Sequence, residues 1–210
     1  MAVPYSLTED GFENQIGTNH LSHFLFFQLL KDTLLASSTP AFHSRVINLT
    51  SAAHHFSTIN FDDLNYTKGD YSPWLAYGQS KTANIYTASS IERHYGARGL
   101  HALSVHPGLV LDTELTRDMP ADELAELQGN AAMMQHMVKT PAQGASTTVW
   151  AAVSPDLEGK GGWYLADLGT TRLGSSVQDA GGSTHAAHAY GEEAEEKLWK
   201  LSSELVGVAV

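Results

Sequence analysis

The sequence alternates short apolar segments with longer helical ones, and this alternation constrains the fold more than any other feature. RVINLT (Arg45 to Thr50) is β-branched and apolar on both faces, as buried parallel strands are. LHALSVHP (Leu100 to Pro107) repeats this pattern, and Trp163 to Ala166 gives a third predicted strand. Because helical segments separate the strands, we predict an α/β fold with a parallel sheet and helices on both faces.

Apolar periodicity and helix start signals predict the helices. Thr8, followed by Glu9 and Asp10, predicts the start of a long, largely buried helix. Ser72 before Pro73 gives an N-cap with proline in the first turn, and Thr140 with Gln143 predicts a capping box at the start of a later helix. The predicted helices span about 9–35, 72–95, 121–138, 140–153 and 191–206, and residues 168–189 are predicted to form a loop.

Length and composition favour one globular domain over residues 1–210. The chain is 42% hydrophobic, which is enough for one sizeable core, and shows no interdomain linker. Its formal net charge of −11 opposes binding to nucleic acid. Cysteine is absent, which excludes disulfides and thiol catalysis. We find no signal-peptide pattern or membrane span in the sequence, so we expect a cytoplasmic protein.

Tyr77 and Lys81 are the first candidate chemical pair. Four residues apart on a predicted helix, their side chains share one face. An ammonium beside a phenol favours the phenolate, so we expect Lys81 to lower the pKa of Tyr77 from about 10. The pair would then exchange a proton with an alcohol or carbonyl oxygen.

Five segments resemble the short-chain dehydrogenases/reductases, and most closely the branch containing the retinol dehydrogenases and the WW-domain oxidoreductase. They are EDGFENQIGTNHLSHF (9–24), RVINLTSAAHHFSTINFDDLN (45–65), WLAYGQSKTANI (74–85), LSVHPG (103–108) and SPDLEGKGGWYLAD (154–167). The segments occur in the family's order and extend over nearly the whole chain. The resemblance implies the C-terminal part of a doubly wound, Rossmann-like sheet.

The resemblance also assigns roles to residues. The family's catalytic tetrad falls on Asn19, Ser51, Tyr77 and Lys81. Tyr77 would exchange the proton with the substrate oxygen, which Ser51 would hydrogen-bond. Lys81 would hold the cofactor ribose, and Asn19 would bind a water that links Lys81 to solvent. Residues implied to lie along the nicotinamide of NAD or NADP are Pro107, Gly108 and Val110.

One part of the family pattern is missing. The glycine-rich fingerprint T-G-x-x-x-G-x-G, which binds the pyrophosphate in the family, does not occur in these residues. We therefore interpret the chain as a short-chain dehydrogenase/reductase domain truncated at its N-terminus. We expect these 210 residues alone neither to bind a dinucleotide nor to transfer hydride. We also expect them to aggregate or to need a partner, because the apolar strand Arg45 to Thr50 would lack a neighbour.

Histidines offer a different interpretation. Three pairs have spacings compatible with metal ligands: His20 and His23, His54 and His55, and His185 and His188. No cysteine or carboxylate completes a ligand set in the sequence, so we favour packing or surface roles. A serine hydrolase would need a G-x-S-x-G motif, which the sequence lacks.

Two classes of function remain open. One is an NAD(P)-dependent oxidoreductase that interconverts a small alcohol and a carbonyl, impaired in the isolated chain. The other is a non-catalytic family member that acts through protein association, including a homodimer through the two long helices. This sequence does not identify the residues that choose between NAD and NADP. Nor does it give the direction of the reaction or the identity of the substrate.

Overall fold

A four-stranded sheet forms the centre of the computed structural model, which describes residues 1–133, 137–176, 179 and 183–209. Its strands are β1 (Ser44–Leu49), β2 (Leu100–His106), β3 (Tyr164–Ala166) and β4 (Gly169–Thr170), in the order β1-β2-β3-β4. The first three strands are parallel, and β4 is antiparallel to β3. The three predicted strands and their parallel arrangement are therefore confirmed.

Six α-helices surround this sheet in the part of the chain that the structure describes. They are α1 (Asn14–Ile16), α2 (Ser22–Ser37), α3 (Pro73–Tyr95), α4 (Ala121–Met133), α5 (Pro141–Val153) and α6 (Glu192–Leu205). A π-helical turn at Gly17–Leu21 joins α1 to α2. Two predicted start signals are confirmed, because Ser72 caps α3 and Thr140 forms a capping box with Gln143 on α5. The helix predicted over about 121–138 is α4, but its predicted end was wrong, because Val138 forms a parallel bridge with Leu109. Residues 134–136 of that prediction lie outside the described residues.

Helices cover both faces of the sheet, as the sequence predicts. Leu100 and Ala102 of β2 pack with residues of α2, α3 and α6, among them Trp199. Leu103 and Val105 point the opposite way and pack against Ala151 of α5. Successive residues of a strand face opposite sides, so β2 supplies both layers of the core. No helix among the described residues is long and apolar enough to cross a membrane.

Two predictions for the first helical segment were wrong. The helix begins at Asn14, because the Glu13 carboxylate accepts the backbone N–H groups of Gln15 and Ile16. Thr8 instead closes a turn, in which its hydroxyl accepts the Phe12 N–H at 3.2 Å. The helix is also less buried than its apolar residues predict, since Leu29 on α2 is 71% exposed.

The burial predicted for β1 was also wrong. Its residues are half-buried and Leu49 is 48% exposed, whereas β2 is buried throughout. Among the described residues, β1 pairs only with β2, so one of its edges has no strand beside it. The predicted loop at 168–189 contains β4 and a small parallel sheet of β5 (Arg172–Leu173) and β6 (Thr184–His185).

Candidate active site

Helix α3 holds Tyr77 and Lys81 one turn apart near its N-terminus. Tyr77 is buried, with 5% of its surface exposed, and Lys81 is half-buried. Lys81 Nζ lies 5.5 Å from the centroid of the Tyr77 ring and donates a long hydrogen bond of 3.4 Å to the Leu49 carbonyl. The shared face predicted from the four-residue spacing is thus present in the structure.

The predicted direction of the Tyr77 pKa was wrong. Burial raises the pKa of Tyr77 to about 12, and a hydrogen bond with the Ser51 side chain opposes part of this rise. Burial also lowers the pKa of Lys81 to about 8. Removal from water disfavours both charged forms, and at this position that effect exceeds the attraction between ammonium and phenolate.

Ser51 reaches the same site from the end of β1. It lies at the carboxyl end of a parallel strand and caps the 3₁₀ turn Ala52–Phe56, where its Oγ accepts the Ala53 N–H at 3.2 Å. Open α/β sheets bind ligands beyond the carboxyl ends of their strands. The sheet therefore brings Ser51 to the Tyr77 phenol from a position 26 residues earlier in the sequence.

Asn19 approaches α3 from the π-helical turn. Its Nδ2 donates to Ser80 Oγ at 2.9 Å, and Ser80 Oγ donates to the Tyr77 carbonyl at 2.7 Å. Asn19 therefore contacts the residue next to Lys81 and is joined to Tyr77 through Ser80. Such π turns occur often at functional sites, whereas the apolar periodicity of the sequence predicts an ordinary helix there.

A cleft of about 530 Å³ opens in front of Ser51 and Tyr77. Pro107 and Gly108 line it from the loop after β2. Most other lining residues are apolar, including Phe56, Trp74, Leu109, Leu115 and Met137. The cleft brings together four of the predicted site residues, whereas Asn19, Lys81 and Val110 are outside its lining.

The loop after β2 is shaped by Gly108. Its φ of +82° lies in the left-handed region, and a Cβ atom there would lie 2.5 Å from Lys139 Cγ. Val110, two residues on, packs towards α5, since a Cβ atom on Gly144 would lie 2.6 Å from Val110 Cγ2. The loop thus places Pro107 and Gly108 on the cleft and the Val110 side chain against a helix.

His106 is a cleft residue that was not among the residues predicted from the sequence. It ends β2, is 6% exposed, and its Nδ1 accepts the Ala52 N–H at 3.3 Å. Its Nε2 is buried without a hydrogen-bond partner among the described residues, and burial lowers the pKa of the imidazole to about 4. The sequence signal was a titratable side chain at the carboxyl end of a buried strand, directly before Pro107.

The histidines considered as metal ligands have other partners. His20, 1% exposed, is hydrogen-bonded through Nε2 to Ser202 Oγ at 2.8 Å, between α3 and α6. His23 is exposed and lies 3.1 Å from the Thr18 carbonyl. Within the described residues, no three histidine or carboxylate side chains converge as a metal site would require.

The fold and the cleft define a Rossmann-like α/β protein with hydroxyl side chains at the carboxyl edge of its sheet. No protein-family model matches the chain. Individual relatives do match it. A short-chain dehydrogenase/reductase, prx1, of Penicillium roqueforti is 44% identical over 217 residues, covering 100% of this chain and 60% of the relative. Human polyprenol dehydrogenase is 37% identical, covering 99% of this chain and 58% of the relative.

Solved structures also resemble this chain. A crystal structure of an uncharacterized protein from Mycobacterium Paratuberculosis is 35% identical, with a TM-score of 0.67 over 99% of this chain and 64% of that one. The RhlG/NADP complex of Pseudomonas aeruginosa shares the fold at 19% identity and a TM-score of 0.55, covering 78% of this chain and 60% of that one. The chain belongs to the short-chain dehydrogenase/reductase family. It spans 60% of the length of the first curated relatives that it matches.

Proposed function

We propose that this chain carries the substrate-facing part of an NAD(P)-dependent oxidoreductase site that interconverts an alcohol and a carbonyl. One observation carries the proposal: the hydroxyls of Ser51 and Tyr77 meet at one cleft. Lys81 is one helical turn from Tyr77 and Asn19 is bonded to the neighbouring Ser80. These are the four residues for which the family resemblance implies a catalytic role.

The residues present fit one end of a nicotinamide cofactor. Lys81 donates one long hydrogen bond among the described residues, so its other N–H groups would be available to ribose hydroxyls. Pro107 and Gly108 supply a wall beside the two hydroxyl side chains. When bound, the nicotinamide gives or takes the hydride. The chain has no glycine-rich turn for the pyrophosphate, so the fit extends to the nicotinamide riboside end.

Tyr77 and Ser51 would act on the substrate oxygen. With its pKa raised to about 12, the Tyr77 phenol keeps its proton at neutral pH and would donate it to a carbonyl oxygen during reduction. The Ser51 hydroxyl would hydrogen-bond the same oxygen and stabilise the charge that develops on it. The apolar walls formed by Phe56, Trp74 and Leu109 favour an alcohol or carbonyl with an apolar body.

The test uses a hybrid chain, because we expect residues 1–210 alone to be impaired. In the hybrid, the strand–helix units that the resemblance places before residue 1 are taken from the Penicillium roqueforti relative. Reduction of an apolar aldehyde such as decanal is followed with NADH and NADPH. We expect Tyr77→Phe to lower kcat by about 100-fold or more while the Kd of the cofactor changes little.

Tyr95→Phe is the matched control for this experiment. Tyr95 lies on the same helix at its far end, packed against the core cluster of Trp199. Removing the Tyr95 hydroxyl should leave kcat unchanged. An undiminished kcat in Tyr77→Phe would remove Tyr77 from the mechanism, and a wild-type hybrid that binds cofactor without reducing any aldehyde would contradict the proposed activity.

Protein association is the second candidate function, and surface residues favour it. Leu49 at the open edge of β1 is 48% exposed. Val149 and Val153 of α5 are 57% and 60% exposed, and Phe26 of α2 is 60% exposed. Large exposed apolar residues on a strand edge and on helices of both faces are typical of a surface that another polypeptide covers. The α2 helix also supports the homodimer predicted through the long helices, whereas α3 is largely enclosed from Ala76 to Ile91.

A further inference from the structure

The 3₁₀ turn that follows Ser51 contains a buried histidine, His54. The side chain has no exposed surface and lies three residues after Ser51. It is not part of the cleft lining. The proposed reaction uses Ser51, Tyr77, Lys81 and Asn19 but not His54.

Hydrogen bonds fix the protonation state of His54. Its Nδ1 lies 2.7 Å from the Ser51 carbonyl oxygen, and its Nε2 lies 3.1 Å from the Ala186 backbone nitrogen. A carbonyl oxygen only accepts and a backbone N–H only donates, so Nδ1 carries the proton and Nε2 is a bare acceptor. The ring is therefore neutral, and burial, which lowers the pKa of His54 to about 3, keeps it so.

We propose that His54 is a positioning residue for Ser51, joining the serine to the segment 184–189 near the C-terminus. This rests on the proposed function, in which the Ser51 hydroxyl contacts the reacting oxygen. His54 itself touches neither substrate nor cofactor. It acts by holding the peptide group of Ser51, and hence the direction of the Cα–Cβ bond that carries the hydroxyl.

The hydrogen bonds to the Ser51 carbonyl show how His54 would hold this residue. The Ser51 carbonyl accepts two donors from one residue, the backbone N–H of His54 at 3.1 Å and its Nδ1–H at 2.7 Å. The backbone bond belongs to the 3₁₀ turn itself, whereas the imidazole bond ties the turn to Ala186. Removing the imidazole donor leaves the turn closed but no longer attached at Ser51 to the C-terminal segment.

The C-terminal segment holds the same turn at two further points. His188 Nε2 donates to the His54 carbonyl at 2.8 Å, and His55 Nε2 donates to the Thr184 carbonyl at 3.2 Å. Three of the six histidines whose sequence spacing is compatible with metal binding, His54, His55 and His188, thus form hydrogen bonds between these two segments. Residues more than 120 positions apart in the sequence are thus brought together at the 3₁₀ turn that follows Ser51.

The experiment compares His54→Asn with His54→Leu in the 210-residue chain. The two replacements have nearly the same shape, but only the asparagine amide can replace the Nδ1–H donor to Ser51. The readout is the ¹³C chemical shift of Tyr77 Cζ at neutral pH, which reports hydrogen bonding at the phenol oxygen. His20→Leu is the control, since His20 is equally buried but bonded to Ser202 in another part of the core.

We expect Ser51→Ala to shift the Tyr77 signal, His54→Leu to shift it in the same direction, and His54→Asn to restore most of the wild-type value. In the Ser51→Ala background, His54→Leu should add no further shift, because its effect passes through Ser51. His20→Leu should lower Tm without moving the signal. Circular dichroism spectra check that each variant is folded.

Each contrary result has its own meaning. If Ser51→Ala leaves the Tyr77 signal unchanged, the serine–tyrosine contact on which the proposed function rests is wrong. If Ser51→Ala shifts the signal but His54→Leu does not, or if the shifts of the two variants add, the positioning role of His54 is overturned while the proposed function stands. Equal shifts of the Tyr77 signal in His54→Asn and His54→Leu would also overturn the positioning role of His54.

Discussion

Lys81 Nζ lies 5.5 Å from the centroid of the Tyr77 ring, yet burial shifts the pKa of each residue in the direction that disfavours its charged form. The phenol pKa rises to about 12 and the ammonium pKa falls to about 8. At pH 7 the pair therefore holds a neutral phenol and a charged ammonium. This state is suited to giving a proton to a carbonyl oxygen, as the proposed reduction requires.

Lys81 should lose its charge near pH 8. With ¹³Cε-labelled lysine, we expect the NMR signal that disappears in Lys81→Arg to titrate with a midpoint of about 8. Binding of reduced nicotinamide mononucleotide should weaken above this pH in the wild-type chain and not in Lys81→Arg, because arginine keeps its charge. Lys200→Arg, at an exposed position, should leave both observations unchanged. A midpoint at the ordinary lysine value would contradict the effect of burial.

Acid should destabilise the fold well before its carboxylates titrate. Burial lowers the pKa of His20 and His54 to about 3 and that of His106 to about 4, from 6.5. The unfolded chain therefore binds more protons below pH 6.5, and stability falls as the pH falls. From pH 7.5 to 5.5 the loss should be about 1.4 kcal/mol for each histidine, or about 4 kcal/mol in all.

Urea denaturation at several pH values measures this loss. Burial lowers the pKa of His55 and His185 in the same direction. His20→Asn removes one of these groups, so the loss between pH 7.5 and 5.5 should decrease by about 1.4 kcal/mol whatever the stability of the variant. An unfolding free energy that is the same at pH 7.5 and 5.5 would show that these histidines are not held neutral.

The 210-residue chain should not bind NADH or NADPH at micromolar concentration. It lacks a glycine-rich pyrophosphate turn and carries a net charge of −11, so the adenosine and phosphates of NADPH should add little to binding. Calorimetric titrations with NADH, NADPH and reduced nicotinamide mononucleotide would compare the three. Micromolar binding of either dinucleotide, tenfold tighter than the mononucleotide, would reveal a phosphate site that the sequence does not show.

Association of the chain should depend on an apolar surface, and two substitutions distinguish the candidates. Leu49→Arg charges the open edge of β1, and Leu29→Glu charges the exposed face of α2. Size-exclusion chromatography with light scattering should show oligomers of the wild-type chain at micromolar concentration. If β1 is the contact, Leu49→Arg restores the monomer. If the long helices form a dimer, Leu29→Glu does so. A monomeric wild-type chain would contradict both.

Local signals in the sequence determined much of the fold. The Ser72–Pro73 start of α3, the Thr140 capping box and the parallel strands β1 to β3 were predicted correctly. Each depends on neighbouring residues, since a cap or an apolar run acts within a few positions along the chain. The candidate tetrad, including Tyr77 and Lys81, was predicted from the resemblance to the family, through its motifs and their order.

Tertiary structure alone decided burial, and burial decided the chemistry. Leu49 is exposed on a strand that pairs on one side among the described residues, and the pKa of Tyr77 rises because the packed core removes it from water. The contact of His54 with Ala186 depends on chain segments 132 residues apart. Periodicity specifies which faces are apolar but not what covers them, and a pKa depends on the atoms that surround a group in space.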